Sequence, residues 1–212
     1  MHMTKNFLLQ CVVGLAIVSA AKAQLAGAAA ASFGAQNFDV SVLWATGKMP
    51  SQTVPNSNVT ISSSQHFSCC SEELGYQFAR TAAGNLWVEY AHFELGGSLN
   101  ANIPSSGNRD LETETLGLRF AVPVAARLAF FAAAGGGEGE FHYPWILQEP
   151  MPYLLSHSTT HGVFEWGGGV DVRLSKRVSL RGEVRDLVSG KGLSGSNGVH
   201  HVVILVGVGF HF

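Results

Sequence analysis

Residues 202–212 (VVILVGVGFHF) alternate between two sets of side chains over their whole length. The first set is uniformly apolar and consists of Val202, Ile204, Val206, Val208, Phe210 and Phe212. The second set mixes apolar and small residues with one histidine and consists of Val203, Leu205, Gly207, Gly209 and His211. Because successive side chains of a β-strand point to opposite faces, this period of two predicts a strand with one unbroken apolar face.

Weaker versions of the same alternation recur along the chain from Asn37 onward. Seven earlier segments show it, at residues 38–44, 74–79, 86–91, 115–120, 127–137, 165–174 and 178–185. Together with the final segment they predict eight strands, each close to the roughly 9–11 residues with which a tilted strand crosses a bilayer. The sequence therefore predicts an all-β fold.

The predicted connections between these strands alternate in length. Short turns are expected at residues 81–85, 122–126 and 175–177, and long loops at residues 47–72, 96–110, 139–161 and 189–200. Short turns at one end and long loops at the other are typical of an eight-stranded antiparallel up-and-down transmembrane β-barrel. A soluble barrel of the lipocalin type has the same number of strands and is the alternative.

The composition of the two strand faces favours the membrane barrel. Only 13% of the 212 residues are charged, which is few for the surface of a soluble domain. The lumen of an eight-stranded barrel is wide enough only for side chains, so inward charges must neutralise one another. We predict an interior charge network of Asp39, Glu89, Arg119, Glu165, Asp171, Arg173, Arg181, Glu183 and Arg185.

The first 36 residues precede the predicted barrel. Lys5, the apolar run at residues 7–20 and the small-x-small triplet at residues 21–23 predict a cleaved signal peptide over residues 1–23. Residues 24–36 are rich in alanine and glycine and predict a flexible leader, which leaves residues 37–212 for the barrel. The formal net charge of −2 argues against a nucleic-acid partner, which would require an excess of basic residues.

The chain resembles the small outer-membrane β-barrel proteins, the group that includes the OmpA transmembrane domain and the opacity-type proteins. The resemblance is sharpest at residues 167–173 (GGGVDVR), 179–186 (SLRGEVRD) and 206–212 (VGVGFHF). It implies a location in the outer membrane of a Gram-negative-type bacterium, in contact with outer-membrane lipid and lipopolysaccharide. It also implies that the barrel-assembly machinery recognises a terminal signal formed by Val206, Val208, Phe210 and Phe212.

We expect a closed barrel that acts as a structural or surface-interaction protein through its external loops, since function often resides on loops. The loop at residues 141–161 is rich in aromatic and aliphatic residues, whereas the external ligand is not evident. No catalytic, cofactor or metal site is predicted. The adjacent Cys69 and Cys70 are expected to lie in a loop, and His200 and His201 to be solvated.

Two alternatives remain at this stage. The first is a diffusion channel for small solutes, which would need a wet gap between the interior charges. The second is a lipid A-modifying enzyme that uses Ser156, His157, Ser158, His161 and Glu165. It is the weaker alternative, because the adjacent His157 and Ser158 would point to opposite faces of a strand.

Three substitutions express these expectations as energies. Val206→Arg should destabilise the barrel by about 2–4 kcal/mol if the position lies near the bilayer midplane, and Gly207→Ser on the opposite face should be milder. Glu183→Ala should leave both Arg181 and Arg185 without a partner, at a cost of about 3–5 kcal/mol in a dry interior.

Overall fold

The computed structural model describes residues 37–48, 52–53, 60–61, 65–98, 108–147, 153–191 and 197–212. Ten strands lie within these residues. They are β1 (Phe38–Lys48), β2 (Gln52–Thr53), β3 (Thr60–Ile61), β4 (Gln65–Thr81), β5 (Gly84–Ser98), β6 (Asn108–Ala125), β7 (Leu128–Leu147), β8 (Tyr153–Arg173), β9 (Val178–Lys191) and β10 (Asn197–His211). The predicted signal peptide and leader lie outside the described residues.

Eight of the strands form one closed antiparallel barrel, in which each strand pairs with the next along the chain and β10 pairs with β1. The short β2 and β3 pair with each other in a separate two-stranded sheet. The predicted eight-stranded up-and-down transmembrane barrel is therefore confirmed.

The barrel closes with a stagger. Each residue can be followed to its paired residue on the next strand, and together such residues form a row around the barrel. The row that starts at Val40 on β1 crosses β4 to β9 and reaches His200 on β10. Across the seam between β1 and β10, however, Val40 pairs with Phe210. The row therefore returns displaced by ten residues along β10. Shared over eight strands, this displacement makes the row climb by roughly one and a quarter residues at each step, as tilted strands require.

The predicted loop boundaries are wrong on the side of the long connections. The predicted loop at residues 139–161 consists largely of continued strand, since β7 and β8 stay paired as far as Leu147 and Tyr153. Similarly, β4 begins at Gln65, inside the predicted loop at residues 47–72, and thus contains Cys69 and Cys70. Pairing with neighbouring strands extends these segments although their side chains do not alternate in polarity.

The outward face of the barrel is apolar over most of its height. Near the end that carries Asn37, Phe212 and the short turns, it exposes the aromatic side chains of Phe38, Tyr76, Phe78, Phe130, Phe210 and Phe212. An aromatic girdle of this kind marks the membrane interface of transmembrane barrels. We call this end the periplasmic end and the opposite end the external end. No helix among the described residues is long and apolar enough to span a membrane.

The core of the molecule lies inside the barrel and has two layers. The layer nearer the periplasmic end is charged. The layer nearer the external end is mainly apolar, and its apolar members are Leu43, Ala45, Ala91, Phe93, Leu95, Leu111, Val163, Leu187, Val203 and Leu205. On β9, for example, Arg181, Glu183 and Arg185 precede the apolar Leu187 as the strand rises towards the external end.

Candidate functional site

Six charged side chains form a closed ring of alternating sign across the lumen, which we call the charge ring. Its members, in order around the ring, are Arg119, Asp39, Arg181, Glu73, Arg185 and Glu89. Each carboxylate contacts two arginines, and each arginine contacts two carboxylates of the ring. None of the six side chains is more than 2% exposed.

The contacts of the charge ring are short. Arg181 lies 2.7 Å from Glu73 and 3.2 Å from Asp39, and Asp39 also contacts Arg119. Arg185 lies 3.0 Å from Glu73 and 2.5 Å from Glu89, and Glu89 lies 3.0 Å from Arg119. Buried charges of this kind are tolerated because each one has opposite charges and hydrogen-bond partners around it.

Three more carboxylates contact the ring from outside it. Asp171 accepts hydrogen bonds from Arg181 at 2.9 and 3.3 Å. Arg185 lies 3.2 Å from Glu183 and 3.7 Å from Glu165, and Glu165 also accepts a hydrogen bond of 2.7 Å from Thr115. Among the described side chains, the lumen thus holds six carboxylates against four arginines, the fourth being the half-buried Arg173 at the periplasmic end.

Glycines on the inward face make room for these large side chains. A Cβ atom at Gly75 would lie 2.7 Å from a terminal nitrogen of Arg119, and one at Gly167 would lie 2.8 Å from Cδ of Arg185. At Gly135 it would lie 2.8 Å from a carboxylate oxygen of Glu165. The glycines that alternate with the charged residues in the sequence therefore provide the volume that the charge network occupies.

Aromatic rings join the charged layer to its surroundings. The Arg119 guanidinium lies 4.8 Å from the centre of the Trp87 ring, and that of Arg181 lies 5.2 Å from the Phe131 ring. Arg185 lies 6.0 Å from the ring of Phe93, which belongs to the apolar layer above it. Cations over aromatic faces are attracted by the ring quadrupole, so the contact between Arg185 and Phe93 links the two layers energetically.

A small cavity lies below the charge ring at the periplasmic end. Its volume is about 20 Å³, enough for roughly one water molecule. It is lined by Asp39, Gln77, Asn85, Trp87, Arg119, Ala121, Pro123, Ala129, Asp171, Arg173 and His211.

All nine residues of the predicted charge network lie on the inward face of the barrel. Glu73, the carboxylate that bridges Arg181 and Arg185, is not among the nine predicted residues. It has the same parity as Gly75 and Gln77, so extending the alternation of β4 by one pair of residues would have found it. The expectation that Glu183 serves both arginines is wrong, because Glu183 contacts Arg185 and the carboxylates bound to Arg181 are Glu73, Asp171 and Asp39.

Two further expectations need correction. A Cβ at Gly207 would collide with the carbonyl oxygen of Val42 and would lie 2.7 Å from Cα of Leu43, so Gly207→Ser cannot be mild. The two expected solvated histidines differ: His201 is buried inside the barrel, whereas His200 is exposed on the outside and lies 2.7 Å from Asp186.

A serine, a histidine and an aspartate come together at the periplasmic end of the lumen. Ser179 Oγ lies 2.9 Å from His211 Nε2, and His211 Nδ1 lies 3.9 Å from Asp39 Oδ2. Ser179 also donates a hydrogen bond of 3.1 Å to Asp171, and its side chain is fully buried. A substrate therefore has no access to this hydroxyl, and its proton already has a carboxylate acceptor.

The residues of the enzyme alternative are distributed differently. Ser158 is exposed, His161 is half-buried and Glu165 is buried in the lumen, and all three lie on β8. Ser158 and His161 are three positions apart and so point to opposite faces of the strand. Among the described residues, no three His, Cys, Asp or Glu side chains converge as metal ligands.

The residues of the predicted assembly signal lie on the outward face of β10 and just beyond its end. Val206, Phe210 and Phe212 are 58%, 42% and 66% exposed. Phe212 donates a backbone hydrogen bond of 2.9 Å to Phe38 and accepts one of 3.2 Å from it. The terminal residue thus takes part in the strand pairing that closes the barrel.

Comparison with known proteins gives structural but not sequence relatives. No protein-family model and no curated protein sequence matches the chain. The crystal structure of Neisserial surface protein A is similar with a TM-score of 0.55 and 16% identity, over 82% of this chain and 97% of that one. This similarity shows the fold, an eight-stranded outer-membrane β-barrel.

Two other outer-membrane proteins are similar to a lesser degree. OprG from Pseudomonas aeruginosa has a TM-score of 0.49 and 16% identity, over 89% of this chain and 99% of that one. Ail, the attachment invasion locus protein of Yersinia pestis, has a TM-score of 0.49 and 12% identity, over 84% of this chain and 97% of that one.

Proposed function

We propose that this chain is an integral outer-membrane protein whose lumen is closed to solutes and which acts at the cell surface through its external hairpins. It would be exported with a cleaved signal peptide and inserted by the barrel-assembly machinery. In the outer membrane it would lie against lipid and lipopolysaccharide. The fold and the apolar outward face, which includes that of β10, support this proposal.

The filled lumen carries the proposal that solutes do not pass. Side chains of five strands meet in the charge ring, and the apolar layer lies between the ring and the external end. An ion that entered would have to displace arginine–carboxylate contacts and then cross a tightly packed layer whose buried side chains are mostly apolar, which is costly for a charge. The small cavity at the periplasmic end does not extend this route.

The hairpin of β7 and β8 supports a role at the cell surface. These are the longest of the described strands, with 20 and 21 residues, whereas β1 has 11. Their pairing continues as far as Leu147 and Tyr153, whereas the pairing with the neighbouring β6 and β9 ends earlier. This hairpin therefore projects beyond its neighbouring strands at the external end. Its sequence is rich in aromatic and aliphatic residues, which is unusual for a segment exposed only to water.

Planar-bilayer recording tests the closed lumen. The wild-type protein should show no steady conductance, because two packed layers block the lumen. Phe93→Ala combined with Arg185→Ala opens both layers and should introduce measurable currents, whereas the outward control Val206→Ala should remain silent. Large stable currents through the wild type would refute the closed barrel and favour the diffusion channel.

Protease treatment of intact cells tests the surface role. Chymotrypsin added from outside should cut within the β7–β8 hairpin, where Trp145 and Tyr153 provide cleavage sites. The aromatic residues of the periplasmic girdle should remain uncut until the outer membrane is permeabilised. Cleavage only after permeabilisation would show that the hairpin does not face the outside of the cell.

A further inference from the structure

Carboxylates cluster on the outward face of four adjacent strands, towards the external end. One hydrogen-bonded row contains Glu72, His92, Glu114 and Glu138, on β4, β5, β6 and β7 respectively. The next row towards the external end begins with Glu94 and Glu112, and His92 lies 3.2 Å from Glu112. We call the exposed members Glu72, Glu94, Glu112, Glu114 and Glu138 the acidic wall.

The acidic wall opposes like charges directly across strands, as in the pairs Glu94–Glu112 and Glu114–Glu138. Directly opposed like charges destabilise a sheet, and a carboxylate in hydrocarbon adds a further cost. Both costs fall sharply if water and headgroups surround the carboxylates. The wall therefore has to lie at or above the polar boundary of the membrane.

The opposite side of the barrel is apolar at the same height. The row of paired residues that contains Glu138 crosses β8 and β9 and extends to Gly198 on β10, three strands away. The row climbs towards the external end by roughly one and a quarter residues at each strand, so Gly198 lies roughly four residues higher than Glu138. The residue of β10 at the same height as Glu138 is therefore Val202. By the same reckoning Glu114 lies between Val202 and Ile204. Val202 and Ile204 are 46% and 49% exposed, and Phe164 at a similar height on β8 is 54% exposed.

Asp186 is the one described carboxylate on the apolar side at this height, and unlike the members of the acidic wall it is largely buried. Its side chain is only 15% exposed and lies 2.7 Å from the exposed His200. It is therefore shielded from its surroundings by a partner that reaches towards the external end, in contrast to the exposed carboxylates of the acidic wall.

The two sides of the barrel thus differ in the height of their apolar band. At the periplasmic end the girdle is even, since Phe78 on β4 and Phe210 on β10 both expose their rings. At the external end, the apolar band on the β6 side stops at Leu116, which is level with residue 205 of β10. On the β10 side the band reaches Val202, three residues higher. Three residues of a tilted strand correspond to roughly 7 Å along the barrel axis.

From this asymmetry, and on the basis of the proposed membrane location, we propose that the barrel locally thins the bilayer along β4–β7. The occupant of the acidic wall is the hydrated headgroup layer of the external leaflet, drawn down to the level of Leu116. A hydrophobic band shorter than the hydrocarbon is accommodated by thinning of the bilayer at that place. An open groove lined by Tyr90, Glu114, Leu116, Gly136 and Glu138 provides room for water and headgroups.

The placement of charged residues argues against a second copy of the chain as the occupant of the acidic wall. The exposed basic side chains Arg80, Arg127, Lys176 and Arg177 lie at the periplasmic end in the described part of the barrel. A second copy inserted in the same direction would therefore place its described basic residues at the wrong height. The acidic wall of the second copy would also lie at the same height as the acidic wall of the first copy.

Spin labels at matched heights test the proposal. In a chain with Cys11, Cys69 and Cys70 replaced by serine, a nitroxide is attached at Leu116→Cys or at Ile204→Cys, and its depth in phospholipid vesicles is measured from its accessibility to oxygen and to a nickel chelate. A bilayer of uniform thickness would give nearly equal depths. We expect the label at position 116 to lie shallower by roughly 7 Å.

Substitution of the acidic wall tests the cause. Glu112→Leu, Glu114→Leu and Glu138→Leu together should move the label at position 116 several ångströms deeper and leave the label at position 204 unchanged. The matched control, with aspartate at the same three positions, keeps the charges and should leave both depths unchanged.

Each other outcome has a distinct meaning. Equal depths for the two labels overturn the thinning but leave the membrane location intact. Spin–spin broadening at position 116 that disappears on dilution with unlabelled protein shows that a second copy covers the wall, which also overturns the proposal. If neither label reaches hydrocarbon, the proposed membrane location itself fails.

Discussion

The charged and apolar layers of the lumen fill the same space by different means. In the charged layer each ring carboxylate is shared by two arginines, so every side chain depends on particular partners from other strands. In the apolar layer, side chains such as Leu43, Phe93 and Leu205 depend on volume and contact, not on the identity of one partner. Removal of one side chain should therefore disturb many others in the charged layer but only its neighbours in the apolar layer.

Removal of Arg185 should have the largest effect. Arg185→Met retains much of the volume but leaves Glu73, Glu89, Glu183 and Glu165 without their shared cation. Breaking a buried ion pair by removing one partner typically costs about 3–5 kcal/mol. The free energy of unfolding, from urea titration in lipid vesicles, should fall by at least that amount.

Arg173→Met is the control for this experiment. Arg173 is half-buried at the periplasmic end, where water can solvate the groups around it. Its replacement should cost about 1 kcal/mol or less, as for exposed ion pairs. Equal losses for the two arginines would contradict a charged layer that depends on the ring.

Leu205→Ala probes the apolar layer and should cost about 3 kcal/mol, since the side chain is fully buried and its removal leaves a cavity. The outward control Ile204→Ala faces lipid that can close around it, so its cost should be smaller. Thermal unfolding followed by heat-modifiability on a gel measures both. A cost for Leu205→Ala no larger than that of Ile204→Ala would show that the apolar layer is not tightly packed.

The alternation of side chains predicts most of the charged layer. Arg181, Glu183 and Arg185 fall on one face of a segment whose other face is apolar, so their inward orientation follows from the sequence. Glu73 is less evident, because the first nine residues of β4 (QHFSCCSEE) are largely polar on both faces. Pairing with β1 and β5 makes this segment a strand, which is a property of the assembled sheet.

The apolar layer is hidden in the sequence for the opposite reason. Leu43 lies between Val42 and Trp44, and Leu205 between Ile204 and Val206, so both faces of the strand are apolar there and the alternation in polarity is weak. Which ion pairs form is also invisible in the sequence, because it depends on distances across the lumen. Hence the sequence predicts the fold and the inward charges but not their partners.

Substitution of Gly207 tests how closely the backbones of β10 and β1 approach each other. A Cβ at this position meets the backbone of β1, which cannot move aside as a flexible side chain could, so Gly207→Ala should cost about 2 kcal/mol. The matched control is Gly182→Ala on the outward face of β9, where the nearest atom lies 4.0 Å from the added Cβ. Equal unfolding free energies for the two variants would contradict the close approach.

Glu183→Gln should have the smallest effect of these replacements in the lumen. Glu183 contacts Arg185, but Arg185 keeps Glu73, Glu89 and Glu165, and the lumen already contains more carboxylates than arginines. Removing one negative charge there relieves repulsion while it breaks one attraction, so the net change should be within about 1 kcal/mol. Glu73→Gln, measured by the same urea titration, should cost about 3 kcal/mol because it interrupts the charge ring at both Arg181 and Arg185. If the two variants lose the same stability, the charged layer depends on the number of carboxylates and not on the closed ring.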